Sequence, residues 1–501
     1  MPRKFYGTVI ALIPLPIAIA WAFANFLYLN RFEFLLYDVI AKFYIIYTLV
    51  FVLPVAVILF VFPSRRPQIA IIAYVTTAAL FMLPGIIEYI GTSVRQRYII
   101  VAVLILAVYS GFILSRLLCG RRYVRDFCVV FLLLTMIPLG QLAVHNLIAP
   151  SYSFQADGNL RNKAVRRPNV YFIVLDGYLR ADKLLTVLDY DNHSFLQSLD
   201  SLGFFVAERS VSNFRGTIVS IGATLRMNYA TDYGSRIFKG IFKTTTYQNF
   251  RNLGYRLVYL PQVRGYMRCP KDVQCVSSEA SDGGNYLGNL DISLLEMLPG
   301  LPHILYSLAP GIGSSELNEL GALQQYLKKS PTGQPIFLYS HIAMPSSGLR
   351  DSDCKKYKYT KHKNPNNTPS KKTYIGYLRC GNPIVQKIVM NIVKQDPEAI
   401  VILQADHGID FSGKASVRDG KRWVKDSLDQ YFSILNAWRL PAACKKWLSH
   451  DLSAINTFRL VFGCINDTNP NFLPNRSYWI ESDWQITLVR EGNRWVVPTT
   501  D

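Results

Sequence analysis

Charge is scarce in this chain, and acid is scarcer than base. Charged residues fill 18% of the 501 positions, below the roughly 25% of a typical soluble domain. Only 34 Asp+Glu stand against 54 Lys+Arg, and histidine occurs seven times. None of the eight cysteines forms a C-x-x-C pair or has a histidine nearby at ligand spacing, which argues against a cysteine-built zinc site. There is no internal repeat. A hydrophobic content of 50% excludes a disordered chain.

The apolar residues gather at the front. Windows near 7–29, 42–62, 68–90, 98–118 and 127–148 lack the polar residue every three or four positions that a core helix shows. Each reaches the roughly 20 residues needed to cross a bilayer. The sequence therefore predicts five transmembrane helices within residues 1–150. Arg3, Lys4, Arg65, Arg66, Arg116, Arg121, Arg122 and Arg125 fall on one side of a five-span layout; Arg31, Lys42, Arg95 and Arg97 fall on the other. The positive-inside rule then puts the N-terminus in the cytoplasm and everything after about residue 150 outside.

From Ser151 the pattern changes. Residues 151–168 read as a polar linker, and 169–501 as one α/β domain in which short apolar runs alternate with helical stretches. Strands are expected at 169–175, 255–260, 335–341, 398–405 and 456–462. Helices are expected near 194–202, 217–229, 316–328, 382–394 and 442–449, and a flexible loop over 355–373. This part carries 42 Lys+Arg and 30 Asp+Glu. A basic domain on the outer face favours anionic head groups or glycans over nucleic acid, although diffuse surface charge for solubility explains the balance equally well. Six cysteines lie in it, and in an oxidising compartment neighbour pairing (269–275, 354–380, 444–464) is the simplest disulfide scheme.

Three places carry chemistry. Asp176 ends the run NVYFIVLDG, where open α/β sheets put ligands, though Asp-Gly is also a common turn. Asp406 and His407 end EAIVILQADHG, a natural pair of metal ligands, or a turn with a capping Asp. Thr217 follows Gly216 at the start of an apolar helical pattern. There a hydroxyl meets free backbone N–H groups that favour an anion. The plain alternative is an N-cap threonine.

The order of these pieces is more specific than any one of them. Strand-Asp-Gly, Asn-aromatic-x-x-Thr-x-x-Ser some 40 residues later, and strand-Asp-His-Gly far downstream resemble the alkaline phosphatase superfamily. The likeness is to its sulfatase-like membrane branch, with lipoteichoic acid synthases and phosphoethanolamine and phosphoglycerol transferases. The matching text is VYFIVLDGYLRAD (170–182), SNFRGTIVSIGATLRMNY (212–229), LQADHG (403–408), FSILNAWRLP (432–441) and NTFRLVFG (456–463).

The resemblance implies an α/β/α sandwich with a mostly parallel central sheet. It implies one divalent metal, zinc or manganese, held by Asp176, Thr217, Asp406 and His407, with Thr217 as the nucleophile of a phospho-threonine intermediate. His341 matches the first histidine of a family motif, but Ser346 stands where a second is expected. A one-metal site is complete and a two-metal site is not. His341 is then a substrate contact or general acid, or a satisfied core histidine. Arg180, Asn213 and Ser346 are expected beside the substrate, Lys271 near it, and Arg439 and Arg459 match positions of structural use. Sulfatase chemistry is disfavoured, because no C/S-x-P-x-R motif surrounds Thr217. The expected function is transfer of a phospholipid head group, phosphoglycerol or phosphoethanolamine, to an envelope glycan or lipid at a bacterial inner membrane. The alternatives are a hydrolase using the same site and a non-catalytic membrane-anchored scaffold.

Overall fold

A computed structural model describes residues 2–29, 37–90, 96–118, 122–148, 164–229, 241–260, 270–276, 316–328, 333–346, 351–355, 369–412, 418–419, 422–480 and 486–500. The chain divides into two compact units, one of which holds Met1–Ser151.

The first unit is helical: α1 (Pro2–Leu12), α2 (Pro14–Leu29), α3 (Tyr37–Val61), α4 (Arg66–Ile90), α5 (Gln96–Leu117) and α6 (Tyr123–Ile148). Helix thus occupies each predicted window, the first interrupted at Ile13, before Pro14. Among the described residues, three stretches are long and apolar enough to cross a membrane: Tyr6–Tyr28, Ile40–Val61 and Tyr123–Val144. A fourth, Ala102–Leu117, is apolar but shorter. Ala11, Leu15, Ala18, Leu59, Tyr74 and Phe131 pack into an interior. Leu53, Val57, Ile105, Leu106, Leu133 and Ile137 are exposed. Large apolar side chains facing outward along whole helices suit hydrocarbon and not water.

The second unit is built on a seven-stranded sheet of order β2-β9-β6-β1-β5-β3-β4. Its strands are β1 (Val170–Leu175), β2 (Phe205–Val206), β3 (Arg256–Leu260), β4 (Val273–Cys275), β5 (Ile336–Ile342), β6 (Ile400–Gln404) and, after the short pair β7 (Arg418–Asp419) and β8 (Arg422–Val424), β9 (Asn436–Arg439). The five from β6 to β4 run parallel; β9 and β2 are antiparallel additions at one edge. Every residue of β1, β5 and β6 is buried, as continuous apolar runs demand when helices cover both faces. Tyr171, Ile173 and Leu175 pack in one core with residues of α7 (Ala181–Leu188), α8 (His193–Ser201) and the helix Lys371–Gln395. Phe172 and Phe337 point the other way, onto Phe458, and Phe337 also stacks on Phe250.

Three sequence expectations need correction. The run 456–462 is not a strand: Thr457–Asn466 is a helix, buried at Thr457, Phe458 and on from Leu460 to Asn466. A segment covered on nearly all sides loses the polar interruptions that distinguish period 3.6 from a buried strand. The helix expected at 382–394 runs over Lys371–Gln395, absorbing the end of the predicted loop 355–373; residues 356–368 of that loop lie outside the described residues. Ser370 starts the helix, its hydroxyl accepting from the N–H of Thr373, a side-chain cap of the usual kind. The expected helix at 442–449 is a 3-10 helix, Ala442–Trp447. Most of the predicted linker also lies outside the described residues.

Disulfides join Cys354 to Cys380 and Cys444 to Cys464, as neighbour pairing anticipated. Cys275 is disulfide-bonded too, while its expected partner Cys269 lies outside the described residues.

Candidate active site

Strand register brings the chemistry together. Val174 of β1 lies beside His341 of β5 on one side and Gln404 of β6 on the other. Asp176 is two residues beyond Val174, and Asp406 two beyond Gln404. With a side-chain period of two, Asp176, His341 and Asp406 rise on one face at the C-terminal ends of three adjacent parallel strands. One ligand atom from each falls within 4.8 Å of the others.

Local structure holds these groups in place. Asp406 Oδ1 accepts the backbone N–H groups of Gly177 and His407, at 3.0 and 2.9 Å. Gly177 has φ of +66°, a conformation that glycine adopts without strain. The Tyr374 hydroxyl donates to Gly177 O and accepts from Leu179 N, fixing the turn after β1. Gly408 N donates to Tyr431 O at 2.8 Å. A Cβ at Gly408 would lie 1.9 Å from Gln430 O. Gly408→Ala is therefore expected to cost about 3 kcal/mol or more, read as a lowered denaturant midpoint.

The nucleophile candidate arrives on α9 (Thr217–Arg226), after β2 in sequence. Gly216 is its N-cap and offers no side-chain cap, so the first N–H groups lack an intrahelical partner. Thr217 Oγ1 lies 3.0 Å from His407 Nε2. Ser220 Oγ donates to Asp406 O at 2.5 Å, docking the helix onto the end of β6. At the other end, Arg459 donates to Met227 O through Nε and Nη2, a cap on the terminal carbonyls. Arg439 likewise serves the backbone, bonding Leu202 O and Ala399 O.

The polar atoms converge on one buried point. His407 Nδ1 sits 2.8 Å from Gly408 O, which must be a donated bond, so in the neutral ring Nε2 carries the lone pair. That nitrogen lies 3.5 Å from both Asp176 Oδ1 and Asp406 Oδ2. His341 Nε2 lies 3.7 Å from Asp406 Oδ2. Both of these atoms are buried with no hydrogen-bond partner among the described residues, and Asp406 is 0% exposed. Buried polar atoms left without partners are costly unless a bound ion completes them. The residues fit a divalent ion held by Asp176, His341 and Asp406, with His407 3.5 Å from both carboxylates and Thr217 beside it.

The electrostatics agree. Burial, and then the charge of Asp406, pushes the Asp176 carboxyl above its ordinary range. Burial also acts to raise Asp406, but the His407 and His341 imidazoles outweigh it and hold that carboxyl low. Burial works against a charge on His407, yet Asp406 and Asp176 lift it above the usual imidazole value.

The other expected residues behave differently. Ser346 is beside the site: its N–H donates to Asp176 O at 3.1 Å, and its side chain acts to lower the Asp176 carboxyl. Asn213 is 1% exposed; it donates to Arg476 O and accepts from Ile455 N, so its amide is spent on positioning the segment before α9. The Arg180 guanidinium is held by Asp182 and Ser210 O. Lys271 is exposed. Arg215, two residues before Thr217, is not among the expected residues; its only signal in the sequence is a cation next to the candidate nucleophile. It packs on Trp479 with its Cζ 4.1 Å from the ring centroid.

No family model matches this sequence, and no curated protein matches it. Solved structures do. This chain is similar to phosphoethanolamine transferases. Lipooligosaccharide phosphoethanolamine transferase A from Neisseria meningitidis, an integral membrane protein, is 13% identical, with 91% of this chain and 95% of that one covered at a TM-score of 0.43. The C-terminal periplasmic domain of EcEptC from Escherichia coli is 10% identical, covering 69% of this chain and all of its own length at 0.42. The phosphonate monoester hydrolase SpPMH from Silicibacter pomeroyi is 14% identical, covering 64% and 81% at 0.41.

Proposed function

We propose that this protein is a membrane-anchored, metal-dependent phosphotransferase that takes the head group of a phospholipid onto Thr217 and passes it to an envelope glycan or lipid. The observation that carries this reading is the meeting of the Thr217 hydroxyl, at an uncapped helix N-terminus, with His407, Asp176, Asp406 and His341.

An ion held there would neutralise charge on the phosphoryl group and favour the Thr217 alkoxide. The chain does the rest. The α9 N-terminus directs backbone N–H groups at a phosphate. His407, fixed by Gly408 O, orients the Thr217 hydroxyl. In the first half-reaction Thr217 Oγ bonds to phosphorus and the ester bond to the diacylglycerol oxygen breaks. Thr217 loses its proton and the leaving oxygen gains one. The acceptor hydroxyl then reverses these roles and frees Thr217. His341 points into the acidic cluster, which suits a ligand better than a general acid.

A layout of anchor (1–150), linker (151–168) and catalytic domain (169–501) goes with this reading, with five spans, a cytoplasmic N-terminus and the domain outside a bacterial inner membrane. Two disulfides in the domain support an oxidising compartment, and apolar helices keep the enzyme among its lipid donors. Transfer is favoured over hydrolysis on that location. The test is incubation of the detergent-solubilised protein with head-group-labelled phosphatidylglycerol or phosphatidylethanolamine and Zn²⁺ or Mn²⁺. Metal-dependent release of diacylglycerol is expected; no release with either lipid and either metal would overturn the proposal.

A further inference from the structure

Phosphoryl transfer concentrates negative charge on the equatorial oxygens, and active sites meet it with more than one positive centre, a second metal or an arginine. The described residues gather donors for one ion, and Ser346 stands where a second histidine is expected. Among the described residues, Arg215 is a cation that the fold brings near His407. It lies on the segment leading into α9, two residues before Thr217. Its guanidinium is stacked on the face of Trp479, which is 4% exposed, and Nη2 donates to Ile480 O at 3.4 Å. The Arg215 charge also acts on the Tyr431 hydroxyl. Tyr431 is itself fixed edge-on to Trp479 at 5.4 Å, and its carbonyl holds Gly408 beside His407. The guanidinium is thus oriented from below by an aromatic wall that also shapes the metal-side loop. Five N–H donors are more than the Ile480 carbonyl takes.

We infer that Arg215 is the second positive centre of the site, binding a non-bridging oxygen of the transferred phosphate while Thr217 bonds to phosphorus. This rests on the reading of the site given above. Arg215 forms no covalent bond and moves no proton; its part is charge stabilisation and orientation, and the aromatic wall keeps that charge in place before substrate arrives.

The test compares wild type with Arg215→Lys, Arg215→Met, which keeps an unbranched stem on Trp479 without the charge, and Arg215→Ala. All are measured as full chains in detergent, with bound metal quantified. For Arg215→Met, kcat for diacylglycerol release is expected to fall on the order of 10²-fold with metal content unchanged, and the affinity for inorganic phosphate, read by calorimetry, at least about tenfold. Arg215→Lys should lie between the two. Added guanidinium should restore part of the Arg215→Ala rate, which a purely structural defect would not allow. Wild-type turnover together with unchanged kcat and phosphate affinity in Arg215→Met would remove this role and leave the proposed function standing. So would losses that follow only metal content or unfolding, without guanidinium rescue. Absence of wild-type turnover would remove the proposed function, and this role with it.

Discussion

Thr217→Ala is expected to lower head-group release by about 10³-fold or more, the scale seen when a nucleophile is removed from a cooperating set. Metal content and fold should survive. Thr217 is only partly buried at the first turn of α9, and that helix is anchored elsewhere: by Ser220 to Asp406 O and by Arg459 to Met227 O. Alanine is also a strong helix former. The loss should therefore fall on kcat while phosphate still binds at the α9 N-terminus. Serine at this position should restore part of the rate, since it returns a hydroxyl. Equal release by wild type and Thr217→Ala would show that the hydroxyl 3.0 Å from His407 takes no covalent part.

Asp406→Asn should have the next largest effect, and of a different kind. Asp406 is 0% exposed, and its two oxygens have separate duties. Oδ1 receives the N–H groups of Gly177 and His407, a task that an amide oxygen performs equally well. Oδ2 faces His341 and His407, where an amide nitrogen offers protons in place of a lone pair. The variant should fall from about one bound divalent ion per chain to none measurable, since metal affinity depends on the deprotonated donor set. Turnover should vanish with it. In chelator it should still unfold cooperatively, at a denaturant concentration somewhat below wild type, because the carboxylate that His407 and His341 hold in its charged form is gone. A variant that kept its metal would displace Asp406 from the ligand set. One that lost metal and fold together would make the carboxylate structural.

The parts of the fold that were legible beforehand are those whose burial is uniform along a short element. VYFIVL and AIVILQ read as parallel strands because both faces are covered, and the Asp that ends each run marked the sheet edge where ligands sit. Thr217 was legible as a helix start because Gly216 precedes an apolar pattern. The helix Thr457–Asn466 was misread for the same reason that β1 was read correctly: burial on nearly all sides erases periodicity. What the sequence could not convey is distance across the sheet. His341 is placed with Asp176 and Asp406 by the register of β5 against β1, 165 positions away in the chain. Asn213, chosen for its nearness to Thr217, turns inward to bond Ile455 N and Arg476 O. Arg215, its neighbour by two, turns toward Trp479. Nothing local distinguishes the two side chains; the aromatic wall that selects one of them is contributed by residues more than 200 positions downstream.

The covalent step can be measured directly. Arg215 and Arg226 bracket Thr217, so trypsin releases the short peptide 216–226 carrying it. The protein is mixed with phospholipid and divalent metal in the absence of acceptor, quenched in acid and digested, and that peptide is weighed and fragmented. The expected result is a phosphate-linked head group on Thr217, absent after chelation. An unmodified peptide from protein that is releasing diacylglycerol at the same time, or a label on Ser220 or Thr224 instead, would contradict it.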